Sequence, residues 1–125
     1  MSIGIVEVNH INIRVPKALE EATKHFYTKI VGLAEIEKPA ESKKRGGAWF
    51  VCGAVQLHLS IADGEGNEAS NRHICYLVAD LKEAENQFRN ADVEVVPDDM
   101  PIAGWQRFYV RDPGGNLLEI AQQVV

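Results

Sequence analysis

Apolar and polar residues alternate through residues 6–15, with Ile11, Ile13 and Val15 on one side and His10, Asn12 and Arg14 on the other. A period of two predicts a β-strand with one buried face, and Pro16 closes it because proline has no amide to give a ladder. Over residues 17–31 the period changes. Leu19, Ala22, Phe26 and Ile30 recur at helical spacing and Gly32 follows, where a helix C-terminal glycine belongs. Residues 33–38, 48–52 and 55–61 are further strand candidates, divided by Pro39, Gly46-Gly47 and Gly53.

The stretch 63–71 is polar, contains glycine and lacks a period, so it reads as a connection. The order of elements then repeats. Residues 72–79 alternate with Ile74, Tyr76 and Val78 opposite His73 and Cys75, and Leu81, Ala84, Phe88 and Ala91 mark a second amphipathic helix. Residues 93–96, 107–111 and 117–121 are strand candidates, the last two separated by the turn sequence Asp112-Pro-Gly-Gly-Asn116. His10 and His73 lie 63 positions apart, Phe26 and Phe88 lie 62 apart, and His58 and Glu119 lie 61 apart. A near-constant offset predicts an internal duplication. The expectation is an α+β fold in one domain, 1–125, made of two βαβββ modules at about 5–62 and 72–123.

At 125 residues and 46% apolar content the chain can bury a core of its own. A net charge of −5 leaves no basic footprint, and the short run Lys43-Lys44-Arg45 sits beside glycines as a solvated loop would, so nucleic acid is not an expected partner. No basic region followed by an apolar run opens the chain, and no apolar stretch approaches the roughly 20 residues that cross a bilayer. A soluble, cytoplasmic protein with no membrane partner is expected. Cys52 and Cys75 lie in strand-like runs without CxxC spacing, which predicts reduced, buried thiols.

The polar faces of the strands carry the chemistry. His10 lies with Asn12 and Arg14, His58 with Gln56 and Ser60, His73 with Cys75, and Glu119 interrupts Leu118 and Ile120. A curved sheet presenting imidazoles and a carboxylate suits a cavity holding a divalent metal, and those donors accept Zn, Ni, Co, Fe or Mn alike. Any one histidine is simply explained as a hydrogen-bonded strand residue. Together they occupy matched places, on the first and last strand of each module, so a two-fold relation would bring His10, His58, His73 and Glu119 to one metal. His25, within the first helix, stands outside this set.

At these residues the chain resembles the superfamily of glyoxalases, bleomycin resistance proteins and extradiol dioxygenases, also called vicinal oxygen chelate proteins. The resemblance runs through Val8-Asn-His-Ile-Asn-Ile-Arg-Val15, His25-Phe-Tyr-Thr-Lys-Ile-Val-Gly-Leu33, Val55-Gln-Leu-His-Leu-Ser60 and, most specifically, Arg107-Phe-Tyr-Val-Arg-Asp-Pro-Gly-Gly-Asn-Leu-Leu-Glu-Ile120. It implies two modules forming an incomplete, curved β-barrel around a central cavity, commonly in a homodimer, and a metal that holds vicinal oxygens of a small-molecule substrate and stabilises an enolate or oxyanion. Glyoxalase I is similar at all four positions but has a carboxylate where His58 stands. Fosfomycin-resistance transferases are similar at His10, His73 and Glu119 only. Extradiol dioxygenases use two histidines and a glutamate with iron.

The leading expectation is a glyoxalase-like lyase or isomerase, with Glu119 a ligand and either Glu119 or a metal-bound water the base. The alternatives are an extradiol-type dioxygenase, or a binding and resistance protein of the same fold. Arg107 and Tyr109 should share the concave face and hold an anionic substrate oxygen, against the simpler role of Arg107 in a salt bridge. Arg14 could act similarly. Trp49 and Trp105 are candidates for the pocket wall or for core packing. Asp98-Asp99 reads as a solvated loop, and the irregular residues 100–105 as a lid. The connection is long enough for the modules to close within one chain or to exchange between two.

Overall fold

The computed structural model describes residues 2–64 and 66–124; Met1, Val125 and Glu65 of the connection lie outside the described residues. Two units, Met1–Asp63 and Gly64–Val125, separate within the chain. In the first, strand β1 (His10–Val15) pairs in parallel with β4 (Val55–Ile61), and β4 and β2 (Ala34–Ile36) flank β3 (Ala48–Cys52) antiparallel, giving the order β1-β4-β3-β2. In the second, β5 (His73–Leu77) pairs in parallel with β8 (Leu117–Gln123), followed by β7 (Trp105–Arg111) and β6 (Val96–Pro97). The predicted modules and their α+β class are therefore present twice.

Register carries the duplication further. Asn12, His58 and Trp49 face one another across β1, β4 and β3. Cys75, Glu119 and Tyr109 do the same across β5, β8 and β7. One row lower in each unit, His10 pairs with Gln56 and His73 with Leu117. The offsets read from the sequence thus correspond to the same places in two sheets. Because side chains alternate across a sheet, the rows between carry the core: Val15, Ala48, Phe50, Leu57 and Leu59 in one unit, Phe108, Val110, Leu118 and Ile120 in the other, all buried.

Helices cover those core faces. Residues 17–30 are helical as expected, but not uniformly: a 3₁₀ turn (Lys17–Leu19) leads into α1 (Glu20–His25) and then a π turn (Phe26–Ile30). Thr23 and Thr28 donate their hydroxyls to the carbonyls of Leu19 and Lys24, four residues back, a bond that bends helices. The amide of Val31 then reaches the Phe26 carbonyl five residues back at 2.9 Å. This widened turn buries both Phe26 and Tyr27, with the Tyr27 ring 5.8 Å from that of Phe50. In the second unit α3 (Leu81–Asn90) is regular, capped by Asp80 accepting from the Glu83 amide at 3.0 Å, and it buries Phe88 edge-on against Phe108.

Four expectations need correction. The first strand begins at His10, not at residue 6, and Ile3, Ile5, Val6 and Val8 are exposed. The ladder partner β4 begins only opposite His10, so the alternation upstream has no strand among the described residues to hold it. The strand expected at 93–96 is confined to Val96–Pro97, because the Val93 amide is taken by the Phe88 carbonyl at the helix end. A short helix α2 (Ala40–Lys43) follows Pro39 where only a break was read. Cys52 and Cys75 are free thiols, yet neither is buried: Cys52 is half-buried and Cys75 exposed, because alternation puts Cys75 on the site face of an edge strand.

Candidate functional site

In the first unit β4 lies between β1 and β3, so His58 is flanked by His10 on one side and Trp49 on the other. The three rings stack: His58 is 4.0 Å from His10 at 14° and 4.0 Å from Trp49 at 2°. His58 is only 7% exposed. Burial, then the neighbouring His10 and Lys38, hold its pKa below the ordinary 6.5, so its neutral form is favoured. Asn9 Oδ1 sits 2.8 Å from His10 Nδ1, and Gln56 Oε1 sits 2.9 Å from His58 Nε2.

The stack limits what the two imidazoles can do together. A metal lies in the plane of a ligating ring at about 2.1 Å from the nitrogen. Two near-parallel rings 4.0 Å apart cannot aim at one such point. His10 and His58 lie side by side, but as a slab; joint coordination requires the stack to open.

In the second unit His73 Nε2 lies 3.0 Å from Glu119 Oε1, and His73 Nδ1 lies 2.9 Å from the Asn71 carbonyl. Both ring nitrogens therefore face acceptors. A hydrogen on Nδ1 for the Asn71 carbonyl turns the Nε2 lone pair toward Glu119, an arrangement in which one proton or one cation can be shared with Oε1. A backbone carbonyl that fixes the tautomer of a ligating histidine is a common support of metal sites. Within neither unit do three or more His, Cys, Asp or Glu side chains gather to hold a metal among the described residues. The donors nevertheless fit a divalent ion by chemistry: neutral imidazole and a carboxylate of borderline-to-hard character.

Glu119 is almost fully buried, and its other oxygen is occupied. The Cys75 thiol donates to Oε2 at 3.5 Å, and Arg107 Nη1 stands 3.6 Å from it. Although Cys75 as a whole is exposed, desolvation of its sulfur against Glu119 and then the Glu119 charge push the thiol up to about 11, so it remains protonated. Tyr109 stands opposite Glu119, its ring edge-on to His73 with centroids 6.2 Å apart; burial and then Glu119 raise its phenol pKa. Arg107 and Tyr109 do share the Glu119 face, as predicted, with Phe108 and Val110 buried behind. Arg107 is committed elsewhere: Nε donates to Asp98 Oδ2 at 2.9 Å and Nη2 to the Met100 carbonyl at 2.9 Å. Its salt-bridge role is the one observed, and it ties down the segment expected to act as a lid.

Each unit has a cavity on its site face. That of the second unit, about 650 Å³, is bordered by His73, Tyr109, Met100, Leu117, Glu94 and Asp99. That of the first unit, about 250 Å³, is bordered by His58, Trp49, Asn12, Ser42, Lys38 and Arg45. Trp49 thus serves as pocket wall and stacking partner, whereas Trp105 borders neither cavity.

Sequence reasoning missed the framework around these walls. Glu20, 6% exposed, accepts from the Gly47 amide at 2.7 Å and from Lys17 Nζ at 2.8 Å, which lowers its pKa. It thereby pins the Gly46-Gly47 loop. Arg111 donates to the carbonyls of Gly115 at 2.8 Å and of Asn67 and Ser70 at 3.3 Å, fixing the connection beside the Asp112 turn. In that turn the Asn116 amide returns to Asp112 Oδ1 at 2.9 Å, which sets the start of β8 and so the place of Glu119. Nothing in the sequence links Glu20 to the glycine pair 27 residues away; the Asp112-Pro-Gly-Gly-Asn116 turn was legible, but the carbonyls that Arg111 reaches were not.

The family model described as Glyoxalase/Bleomycin resistance protein/Dioxygenase superfamily matches residues 7–120. The chain is similar to a crystallised glyoxalase family protein from Bacillus anthracis, with 33% identity, a TM-score of 0.88, and coverage of 98% of this chain and 99% of that one. It is also similar in fold to a variant of the fosfomycin resistance protein FosX from Listeria monocytogenes, crystallised with Mn(II) and 1S,2S-dihydroxypropylphosphonic acid, at 18% identity, TM-score 0.82 and coverage of 97% and 95%. A lactoylglutathione lyase from Agrobacterium tumefaciens shares the fold at 21% identity, TM-score 0.72 and 95% coverage of each chain. No curated protein matches the chain.

Proposed function

The chain belongs to the glyoxalase/bleomycin resistance protein/dioxygenase superfamily, and we propose that it is a divalent-metal-dependent enzyme of glyoxalase-like, lyase or isomerase type acting on a small oxygenated substrate. The observation that carries this reading is the His73–Glu119 pair, whose Nε2 and Oε1 atoms converge to 3.0 Å, close enough for both to ligate one ion in adjacent coordination positions. His10, His73 and Glu119 would hold the ion, with His58 as a fourth ligand once its stack opens. Bound there, Zn, Ni, Co, Fe or Mn would supply Lewis acidity toward a substrate oxygen.

The chain's own groups divide the remaining work. Cys75 and Arg107 hold Glu119 Oε2 in place, so Oε1 is the atom assigned to the ion and, once released from it, to a substrate proton. Tyr109, kept as a phenol, donates a hydrogen bond to a substrate oxygen in the cavity it shares with His73. The FosX ligand, a vicinal dihydroxy phosphonate bound with Mn(II), supports a substrate with neighbouring oxygens. The exposed Ile3, Ile5, Val6 and Val8 support a homodimer as the working form.

The test is turnover by protein loaded with each metal in turn, against α-oxo aldehydes with and without a thiol, an epoxide-bearing phosphonate and a catechol. Glu119→Gln should keep metal and lose activity by about 100-fold or more. Unchanged activity would remove Glu119 as base. Tight binding of one compound without turnover would favour the binding-protein reading, and oxygen consumption with the catechol the dioxygenase.

A further inference from the structure

The cavity of the first unit is out of character with the molecule around it. The chain carries 18 acidic residues against 13 basic ones, yet this cavity is bordered by Lys38 and Arg45 and, among the described residues, by no carboxylate. We propose that it is the subsite for a phosphate-like oxyanion carried by the substrate. The statement that the anion belongs to the substrate rests on the function proposed above; the anion site itself does not.

The two cations are held differently. Lys38 follows β2 and donates to the Gly46 carbonyl from its ammonium, which keeps the head group at the cavity wall and leaves two of its three hydrogens for a ligand. Arg45 makes no ion pair among the described residues, and its planar guanidinium offers the paired donors that fit an oxyanion. The nearest buried acid, Glu20, is engaged by Lys17 and the Gly47 amide, and its attraction for Lys38 is exceeded by the repulsion from Lys24. Hydroxyl and amide donors complete the wall. Ser60 donates to Asn12 Oδ1 at 2.7 Å, which turns the Asn12 amide nitrogen outward as a donor, and Ser42 adds a hydroxyl.

Size and neighbours define the ligand class. At about 250 Å³ the cavity lies below the roughly 300–1,000 Å³ of pockets that take whole drug-sized molecules, so it suits a head group. Two cations favour a dianion over a carboxylate. His58 and Trp49 form one side, so the slab that touches His10 also borders the anion. The second unit offers no such place: Arg107 is paired with Asp98, Arg111 is used by backbone carbonyls, and Glu94 and Asp99 border its cavity.

The test is titration of metal-free, chelator-treated full-length protein with inorganic phosphate, and separately with acetate, followed by amide chemical shifts of Gly46 and Gly47 and the indole of Trp49, at constant ionic strength set with chloride. Saturable shifts at these groups, tighter for phosphate than for acetate, and weakened about tenfold in Lys38→Gln and in Arg45→Gln, are expected. Arg45→Gln keeps the Lys38–Gly46 contact, so it separates lost charge from a disturbed loop. Shifts that are linear in phosphate, equal for acetate, or unaffected by Arg45→Gln would overturn the proposal. Metal content of the same variants separates the two readings: phosphate binding without any metal uptake would refute the metal site alone, and metal uptake without phosphate binding the subsite alone.

Discussion

The two units share a topology and a register but not a chemistry. The row that holds Asn12, His58 and Trp49 in the first unit holds Cys75, Glu119 and Tyr109 in the second. In the first it is an aromatic slab beside a cationic cavity; in the second it is a buried carboxylate held by a thiol and an arginine beside a larger, mainly apolar cavity with acids at its border. A duplicated scaffold fixes where side chains stand, while the side chains decide which half holds charge and which half holds the carboxylate. Alternation leaves the core rows alike in both halves, because each must bury an apolar face against a helix.

The largest effect should come from breaking the turn framework. At Gly47, φ is +80° and an added Cβ would lie 2.0 Å from the Leu59 carbonyl oxygen, so Gly47→Ala should cost about 4 kcal/mol by denaturant unfolding. Gly115, the turn glycine of the second unit, has φ +88° but meets only Glu68 at 3.1 Å; Gly115→Ala should cost about half as much. Equal costs would show that the Gly47 loop yields freely. Next, Glu119→Ala should weaken metal binding by about 100-fold or more, whereas His58→Phe, which keeps the stack, should weaken it by about tenfold or less. The reverse order, read by competition with a chelator, would place the metal on the first unit.

Titration sharpens the same contrast. The depressed pKa of His58 means that the unfolded chain takes up the proton first as pH falls below 6.5. Its neutral packing therefore contributes stability that is present above that pH and lost below it. Thermal melts should show a fall between about pH 7 and 5 that is shallower in His58→Phe; parallel slopes would assign the fall to other groups. The smallest effect concerns Arg107→Met, which breaks a largely shielded pair with Asp98 and frees the segment at Met100. A loss of about 1–2 kcal/mol is expected, with phosphate binding at the first unit unchanged.

Most of the scaffold was legible because period and punctuation report it directly. β3 and β4 have the boundaries that their glycines and alternation indicate, and the 61- to 63-residue offsets anticipate the shared register. The strand start at His10 was not legible, since alternation at residues 6–9 says nothing about whether a partner strand is opposite. Of the proposed ligands, two neighbouring pairs were legible, His10 with His58 and His73 with Glu119. What alternation cannot encode is ring orientation, so the stack of His58 between His10 and Trp49 was hidden. Nor does it encode partners distant in sequence, such as Asp98 for Arg107 or Glu20 for Gly47.

The proposal that His10 and Glu119 both serve one divalent metal is tested most directly by elemental analysis of protein purified without chelator or histidine tag, as wild type and as His10→Ala and Glu119→Ala. The account predicts about one metal per chain in the wild type, lost when either donor is removed, since a site so sparsely liganded within each unit needs both. Retention of metal after removal of His10, or no uptake by the wild type even after reconstitution, would contradict it.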